Sequence, residues 1–285
     1  MASSADYKGR TPAWCPGCGN FSILKTFREA VAELGIEPHQ FTIVSGIGQA
    51  GKFPHYLKCN TFNGLHGRTL PVATALKLVN SGQIVIAVAG DGDCYGEGGN
   101  HLLHAMRRNI NIKLFVHDNQ IYGLTKGQAS PTTAEGTRPK NLPFGVLSEN
   151  LNPMALAVAM DCGFAARAFS GDMEHLKEII KAAILHKGFS LVDILQPCVS
   201  FNKVNTYEWY KQRVYHIGAD YDPHDRIAAF QKALEWPDRI PTGIIYRNNR
   251  TAFDERVSVI RDTPLVSQVQ SVDITKIEAV LKEFY

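Results

Sequence analysis

The chain has 285 residues, 45% of them hydrophobic, enough for one large α/β domain or two small ones. Gly (24) and Pro (14) stand at ordinary globular frequency, which excludes collagen-like, low-complexity and wholly disordered chains. The 30 basic and 27 acidic residues leave +3, too even a balance for a nucleic-acid binder, although it allows a local basic site for anions.

A chain this long buries about three-quarters of its unfolded surface, so its 6 cysteines are not needed as staples. The N-terminus carries no apolar signal-type segment, and the longest apolar run, Ile84 to Ala89, is strand-sized. The expectation is a cytoplasmic chain with no membrane partner, in which clustered cysteines serve as metal or redox ligands rather than disulfides.

Along the chain, apolar residues at three- and four-residue steps predict a helix over Asn20 to Leu34, with Asn20 as N-cap, Phe21 on the apolar face and Gly35 at the end. A buried strand, Phe41 to Val44, leads into Ser45-Gly46-Ile47-Gly48. Pro71 opens a helix to Val79, as proline in a first turn favours. Ile84 to Ala89 is continuously apolar, the pattern of a parallel strand covered on both faces. A helix over Asn100 to Arg108, a strand over Ile112 to Val116, helices over Ala155 to Met160 and Glu174 to His186, and a strand over Ser190 to Leu195 continue the alternation. Helices near Asp225 to Glu235 and Asp273 to Phe284 flank a strand near Ile244 to Tyr246. The expected fold is α/β, a mostly parallel sheet with helices on both faces. The expected division is a domain over 1–215 and a C-terminal extension over 216–285, packed on that domain or on a partner. The aromatic stretch around Trp209 is either a partner surface or part of the chain's own core.

Gly90-Asp91-Gly92-Asp93 follows a buried strand, at the edge where open α/β sheets bind ligands. Asn119 stands at the end of the next strand, so the two meet at one sheet edge. An Asp carboxylate, an Asn carbonyl and a backbone carbonyl suit Mg²⁺, with diphosphate oxygens and water completing its shell. Trp14-Cys15-Pro16-Gly17-Cys18-Gly19 is a Cys-x-x-Cys turn open to several uses: half a zinc site, a dithiol pair, or two of the four thiolates of an iron–sulfur cluster. Cys198 ends the Ser190 to Leu195 strand at the same edge as Asp91. Cys94 and Cys162 fall within core elements and read as small buried hydrophobes.

In order, Trp14 to Gly19, Ser45 to Gly48, Leu65-His66-Gly67-Arg68, Gly90 to Asp93, Asn119 to Gln128, Pro131-Thr132 and Gln196-Pro197-Cys198 resemble the β subunit of 2-oxoacid:ferredoxin oxidoreductases, over residues 10–215. The shorter two-subunit type with 2-oxoglutarate or broad 2-oxoacid specificity is the most similar. The resemblance implies the thiamine diphosphate-binding fold. Mg²⁺ would then lie on Asp91, Asn119 and the Ile121 carbonyl, with Gly92, Asp93, Gly123 and Leu124 about the diphosphate. Ile47, Gly48, Gln49, Ala50 and His66 would line the cofactor pocket, His66 beside the reacting carbon. Lys52 and Lys126 would read the substrate carboxylates.

The family's third cluster cysteine follows Ser-Gly-Ile-Gly directly, and here that position is Gln49. Cys59, further along the same loop, is the only nearby thiol, so Cys15, Cys18, Cys59 and Cys198 are the expected ligands of one 4Fe–4S cluster, the alternative being a site of three thiolates with Cys59 incidental. The implied reaction is oxidative decarboxylation of a 2-oxoacid, 2-oxoglutarate first and pyruvate second, with coenzyme A, electrons passing through the cluster to ferredoxin. A separate α subunit is implied, in a heterodimer or a dimer of heterodimers. The competing classes are a thiamine-dependent decarboxylase with structural cysteines and a non-catalytic metal-binding subunit.

Overall fold

The computed structural model describes residues 3–139, 141–268 and 273–285. In chain order, helix α1 (Asn20–Glu33) leads to β1 (Phe41–Ser45), a 3-10 turn (Ala50–Tyr56) and β2 (Asn60–Asn63). Then come α2 (Thr69–Val79), β3 (Ile84–Gly90), a π-helical turn (Gly92–Glu97), α3 (Gly99–Arg108) and β4 (Ile112–Asp118). The next elements are α4 (Pro153–Ala159), β5 (Phe164–Phe169), α5 (Met173–Leu185) and β6 (Ser190–Leu195). The chain closes with α6 (Tyr207–Lys211), β7 (Val214–His216), α7 (Arg226–Ala233), β8 (Ile240–Arg247), α8 (Phe253–Arg256), α9 (Ser258–Arg261) and α10 (Ile274–Lys282).

The strands form one sheet in the order β2-β1-β3-β4-β6-β5-β8-β7. All neighbours pair in parallel except β5 and β8. The uninterrupted apolar strands are explained by two cores, one on each face. Val85, Ala87, Ala89, Leu114 and Val116 face a core roofed by residues of α2, α3, α4 and α7. Ile86, Val88, Phe115 and Val192 face another, filled by Ile23, Leu24, Phe27 and Val31 of α1 and Leu176, Ile180 and Ala183 of α5.

Two expectations are corrected, and one left open is decided. Asn20 does not cap α1; it is the first residue inside the helix, and its Oδ1 accepts from His117 Nδ1 at 2.7 Å. Phe21 turns outward and meets the edge of Trp14, at 5.4 Å between centroids. The stretch around Trp209 packs within the chain: Tyr210 is fully buried with Phe169, Leu195 and Ile240, and Trp209 and Trp236 close over them. The region after residue 215 also enters the sheet, since β8 pairs with β5 and α7 packs on the core beside α4. Gly35 ends α1 as expected, at φ +66°.

The topology places the site. β1 passes outward to β2, whereas β3, on its other side, passes to β4, so the chain diverges between the C-terminal ends of β1 and β3. Ligands of open α/β sheets lie in such crevices. Ser45, Gly90, Asp118 and Leu195 all end their strands at this edge.

Candidate active site

The crevice is a cleft of about 490 Å³ lined by Ile47, Gly48, Gln49, Ala50 and His66 from one side, and Gly90 to Asp93, Asn119 and Ile121 to Thr125 from the other. Asp93 ties the two sides together. Its Oδ1 accepts from the Ile47 N–H (3.1 Å), the Gly67 N–H (2.8 Å) and His66 Nδ1 (2.6 Å), and its Oδ2 accepts from the Thr69 hydroxyl (3.1 Å). The carboxylate lies so close to Gly46 that a Cβ there would sit 2.0 Å from Oδ2, which explains a glycine after Ser45. The motif reading places Asp93 about a diphosphate. Asp93 does line the cleft, and its side chain is turned to the opposite wall.

The π-helical turn over Gly92–Glu97 widens the backbone beside this wall, a distortion found often at functional sites. Tyr122 lies across it: a Cβ on Gly92 would fall 2.3 Å from the Tyr122 ring, and the phenol donates to Glu97 at 3.2 Å. Gly92 is thus needed for close approach of the 122–128 loop rather than for φ freedom.

Asp91 is buried, and burial pushes its carboxyl up to about 6. Thr132 Oγ1 lies 2.8 Å from both Asp91 Oδ2 and Asp118 Oδ1. Asp118 Oδ1 also accepts from the Gln120 N–H at 3.1 Å, and burial, with Asp193 and Asp91 nearby, raises this carboxyl well above the usual carboxylate range. Asn119 Oδ1 accepts from the Ile121 N–H at 3.0 Å, an Asx turn that, with Gln120 at φ +56°, turns residue 121 back to the cleft. Asp91, Asn119 and Ile121 all line that cleft, as the sequence predicts.

A second cavity of about 360 Å³ adjoins it, lined by Trp14, Cys15, Cys18, Asn20, Gln49, Asn119, Gly123, Gln196 and Cys198 among others. Gln196 links the two: its Nε2 points to Cys18 Sγ at 3.6 Å, and its Oε1 accepts from Asn119 Nδ2 at 3.4 Å. Burial, with lesser contributions from Cys198 and Cys15, pushes the Cys18 thiol up to about 11. Two side-chain atoms here are buried without a partner, Asn20 Nδ2 and Gln49 Oε1.

Cys59 is not brought to these thiols. It immediately precedes β2, whose first residue pairs with Thr42 at the start of β1, so it lies at the opposite edge of the parallel sheet. There it packs on the core of α1 and α5, and burial raises its thiol to about 12. The spacing in sequence puts it in the right loop, but the strand it introduces carries the chain away. Cys94 and Cys162 are fully buried, as expected.

Lys52 and Lys126 stand beside the cleft without lining it, each within two residues of a lining position. Lys126 is exposed, at φ +77°. Sequence reasoning misses Thr69, Asp118 and Asn20 as supporting residues. Thr132 stands out in sequence only as part of a motif, and none of the four has a spacing that marks it. Elsewhere, Asp172, His175 and His216 cluster, but the two imidazoles stack with planes 16° apart at 4.1 Å. A single ion cannot lie in both ring planes, so this cluster is no metal site as it stands. Among the described residues no helix is long and apolar enough to cross a membrane.

The family model of the thiamine pyrophosphate enzyme C-terminal TPP binding domain matches residues 43–194. The model for the C-terminal part of the pyruvate ferredoxin oxidoreductase beta subunit matches residues 198–262. The chain is 45% identical over 258 residues to the 2-oxoacid:ferredoxin oxidoreductase subunit beta of a Sulfolobus species, covering 86% of this chain and 85% of that one. It is 46% identical over 189 residues to the 2-oxoglutarate oxidoreductase subunit KorB of Mycobacterium tuberculosis, covering 66% of this chain and 51% of that one. Its fold matches a solved 2-oxoglutarate:ferredoxin oxidoreductase from Magnetococcus marinus, with 2-oxoglutarate, coenzyme A and succinyl-CoA bound, at a TM-score of 0.92. That match has 35% identity and covers 98% of this chain and 96% of the other.

Proposed function

The chain belongs to the β-subunit family of 2-oxoacid:ferredoxin oxidoreductases, and from that premise we propose that it carries the thiamine diphosphate, Mg²⁺ and 4Fe–4S sites of a cytoplasmic 2-oxoglutarate oxidoreductase. A β subunit works with an α subunit. The proposed reaction converts 2-oxoglutarate, coenzyme A and two oxidised ferredoxins to succinyl-CoA, CO₂, a proton and two reduced ferredoxins. When bound, thiamine diphosphate supplies the nucleophile and electron sink for decarboxylation, and the cluster a one-electron carrier.

One observation carries this reading: a buried carboxylate, Asp91, and Asn119 meet at the crevice between β1 and β3, beside a cavity holding three thiols. The donor set fits the groups. Asp91 and the Asn119 and Ile121 carbonyls are hard oxygen ligands, and a dication would hold Asp91 ionised despite its burial. Burial likewise disfavours the thiolate of Cys18, so iron is the kind of cation that would keep it deprotonated.

Within that frame, Asp93 holds His66 by Nδ1 with its ring on the cleft, and Glu97 stands 3.6 Å from Nε2. His66 is thereby positioned to meet the substrate's reacting end. The diphosphate would follow the backbone of Gly92, Gly123 and Leu124. Lys52 and Lys126, on the rim, supply cations for a dicarboxylic substrate. Ile47, Leu65 and Leu124, exposed about the mouth, offer an apolar seat for the α subunit. Pyruvate or a broader range of 2-oxoacids is the second reading, favoured by the 2-oxoacid naming of the Sulfolobus relative.

The test is co-purification with the α subunit under anaerobic conditions, then ferredoxin reduction with 2-oxoglutarate, pyruvate and 2-oxobutyrate in the presence of coenzyme A. Reduction fastest with 2-oxoglutarate supports the proposal. Decarboxylation without ferredoxin reduction would turn the assignment to a thiamine-dependent decarboxylase.

A further inference from the structure

The cavity that gathers Cys15, Cys18 and Cys198 has no fourth thiol within reach. The remaining cysteines are accounted for: Cys59 lies at the far edge of the sheet, and Cys94 and Cys162 are enclosed in the core. What stands on the fourth side is Gln49. It lines both the cysteine cavity and the diphosphate cleft. Its backbone carbonyl is fixed by Trp14 Nε1 at 2.8 Å, next to Cys15, and its side-chain Oε1 is buried with no hydrogen-bond donor. A Cβ built on Gly123 would meet Cys198 Sγ at 3.8 Å and both Asn119 Nδ2 and Gln49 Cγ at 3.9 Å. Thiol, cation ligand and glutamine therefore converge on one point between the two pockets.

An amide oxygen is a neutral, hard donor, much weaker toward iron than a thiolate. We infer that the cluster in this cavity has three cysteine ligands and turns its fourth iron toward Gln49, on the side of the diphosphate cleft. That iron is exchangeable and open to a small oxygen-donor or anionic ligand. The inference rests on the cluster proposed above and adds where its weak corner points. It also gives Asn20 a place: with Oδ1 held by His117, its unpartnered Nδ2 faces the cavity as a donor to a cluster sulfur.

Loss of the fourth iron is a balanced step with ferricyanide as oxidant. One electron passes from [4Fe–4S]²⁺ to ferricyanide, giving ferrocyanide and [4Fe–4S]³⁺, which releases Fe²⁺ and leaves [3Fe–4S]⁺. Added Fe²⁺ with one electron from dithionite reverses it.

The experiment takes the anaerobically purified complex with its α subunit and titrates it with ferricyanide, following bound iron and the electron paramagnetic resonance spectrum. The expected result for the wild type is a fall from about four to about three irons in this cluster, with the near-isotropic signal of [3Fe–4S]⁺. Fe²⁺ and dithionite should restore the original state. Gln49→Cys should hold its iron and show no such signal, and Cys59→Ser should behave as the wild type. A wild-type cluster that keeps all its iron through the titration overturns the inference, as does a Cys59→Ser complex that is purified, before any ferricyanide is added, with less cluster iron than the wild type. Those two results do not depend on how Gln49→Cys folds. A wild-type complex with no iron or sulfide in this subunit would instead overturn the cluster assignment itself.

Discussion

Replacing Asp93 tests whether a single carboxylate organises the cleft. Four donors converge on it, the backbone N–H groups of Ile47 and Gly67, His66 Nδ1 and the Thr69 hydroxyl, at 2.6 to 3.1 Å. Gly67 and Thr69 are buried, so their donors cannot turn to water, and each buried donor left unpaired costs about 1–3 kcal/mol. Ile47 and His66 are exposed enough to recover a water partner. Asp93→Ala should therefore cost about 4 kcal/mol, a fall of roughly 10 °C in Tm for a chain of this size. Asp93→Asn is the discriminating companion. Its amide oxygen keeps the Oδ1 position and its three donors, and its NH₂ replaces Oδ2, toward which the Thr69 hydroxyl can rotate to accept. Only the charge is lost, about 1 kcal/mol. Thermal unfolding of the two variants beside the wild type decides. Equal midpoints for alanine and asparagine, or an alanine variant as stable as the wild type, would refute the role given to this carboxylate.

Gly92→Ala drives a methyl into the Tyr122 ring, at 2.3 Å, and should displace the 122–128 loop; about tenfold weaker thiamine diphosphate binding is expected by calorimetry. Gly99→Ala, with open space around its Cβ, should bind normally, and equal losses would show that the ring contact is not the cause. Lys126→Ala should raise KM for 2-oxoglutarate about tenfold more than KM for pyruvate, the scale of one lost ionic contact; an unchanged ratio removes Lys126 from substrate selection. Lys113 is buried among carbonyls of His186 and Gly188 and Asn111 Oδ1, and burial lowers its ammonium from 10.5 to about 7. Between those values the unfolded chain holds a proton the folded one has lost, so this group adds stability as pH rises above about 7, by at most about 1.4 kcal/mol per unit. The unfolding free energy of the wild type minus that of Lys113→Met, measured in urea from pH 7 to 9, should rise with pH; parallel curves would refute the assignment.

The sheet is legible in sequence where one physical signal dominates. Short continuous apolar runs rich in β-branched residues are the pattern of strands covered on both faces, and β1, β3, β4 and β6 lie where those runs are. β5 escapes because Phe-Ala-Ala-Arg-Ala-Phe looks neither strongly apolar nor alternating. Its centre is Arg167, 2% exposed, whose Nε lies 3.5 Å from Asp193 Oδ2 and whose guanidinium stacks 5.4 Å from the Trp236 ring. An arginine in a strand reads as solvent-facing unless its partner, in this case the adjacent β6, is known to be beside it. β2 escapes for the opposite reason: an exposed four-residue edge strand buries too little to leave a pattern.

The same division runs through the site. Asp91, Asn119 and the three thiols that do converge are legible because each sits just past a recognisable strand or in a short turn, where chain position fixes place. For Asp93 the motif places the residue at the cleft but leaves the partners of its side chain open, because its chemistry suits two roles. A carboxylate beside a glycine-rich turn can face a ligand or bind backbone N–H groups, and only the approach of Gly46, Gly67 and Thr69 from other elements selects the second. Cys59 shows an error: proximity in sequence stands in for proximity in space, when one parallel strand separates the two edges of the sheet. The three-residue difference between Cys15 and Cys18 is informative because a turn holds it, with the Cys18 N–H donating to the Cys15 carbonyl at 3.0 Å. The step from Gln49 to Cys59 crosses a 3-10 turn and arrives at the start of β2. Local spacing specifies a ligand set only where the intervening backbone is closed by its own hydrogen bonds, and that condition separates the cysteines this site holds from the one it does not.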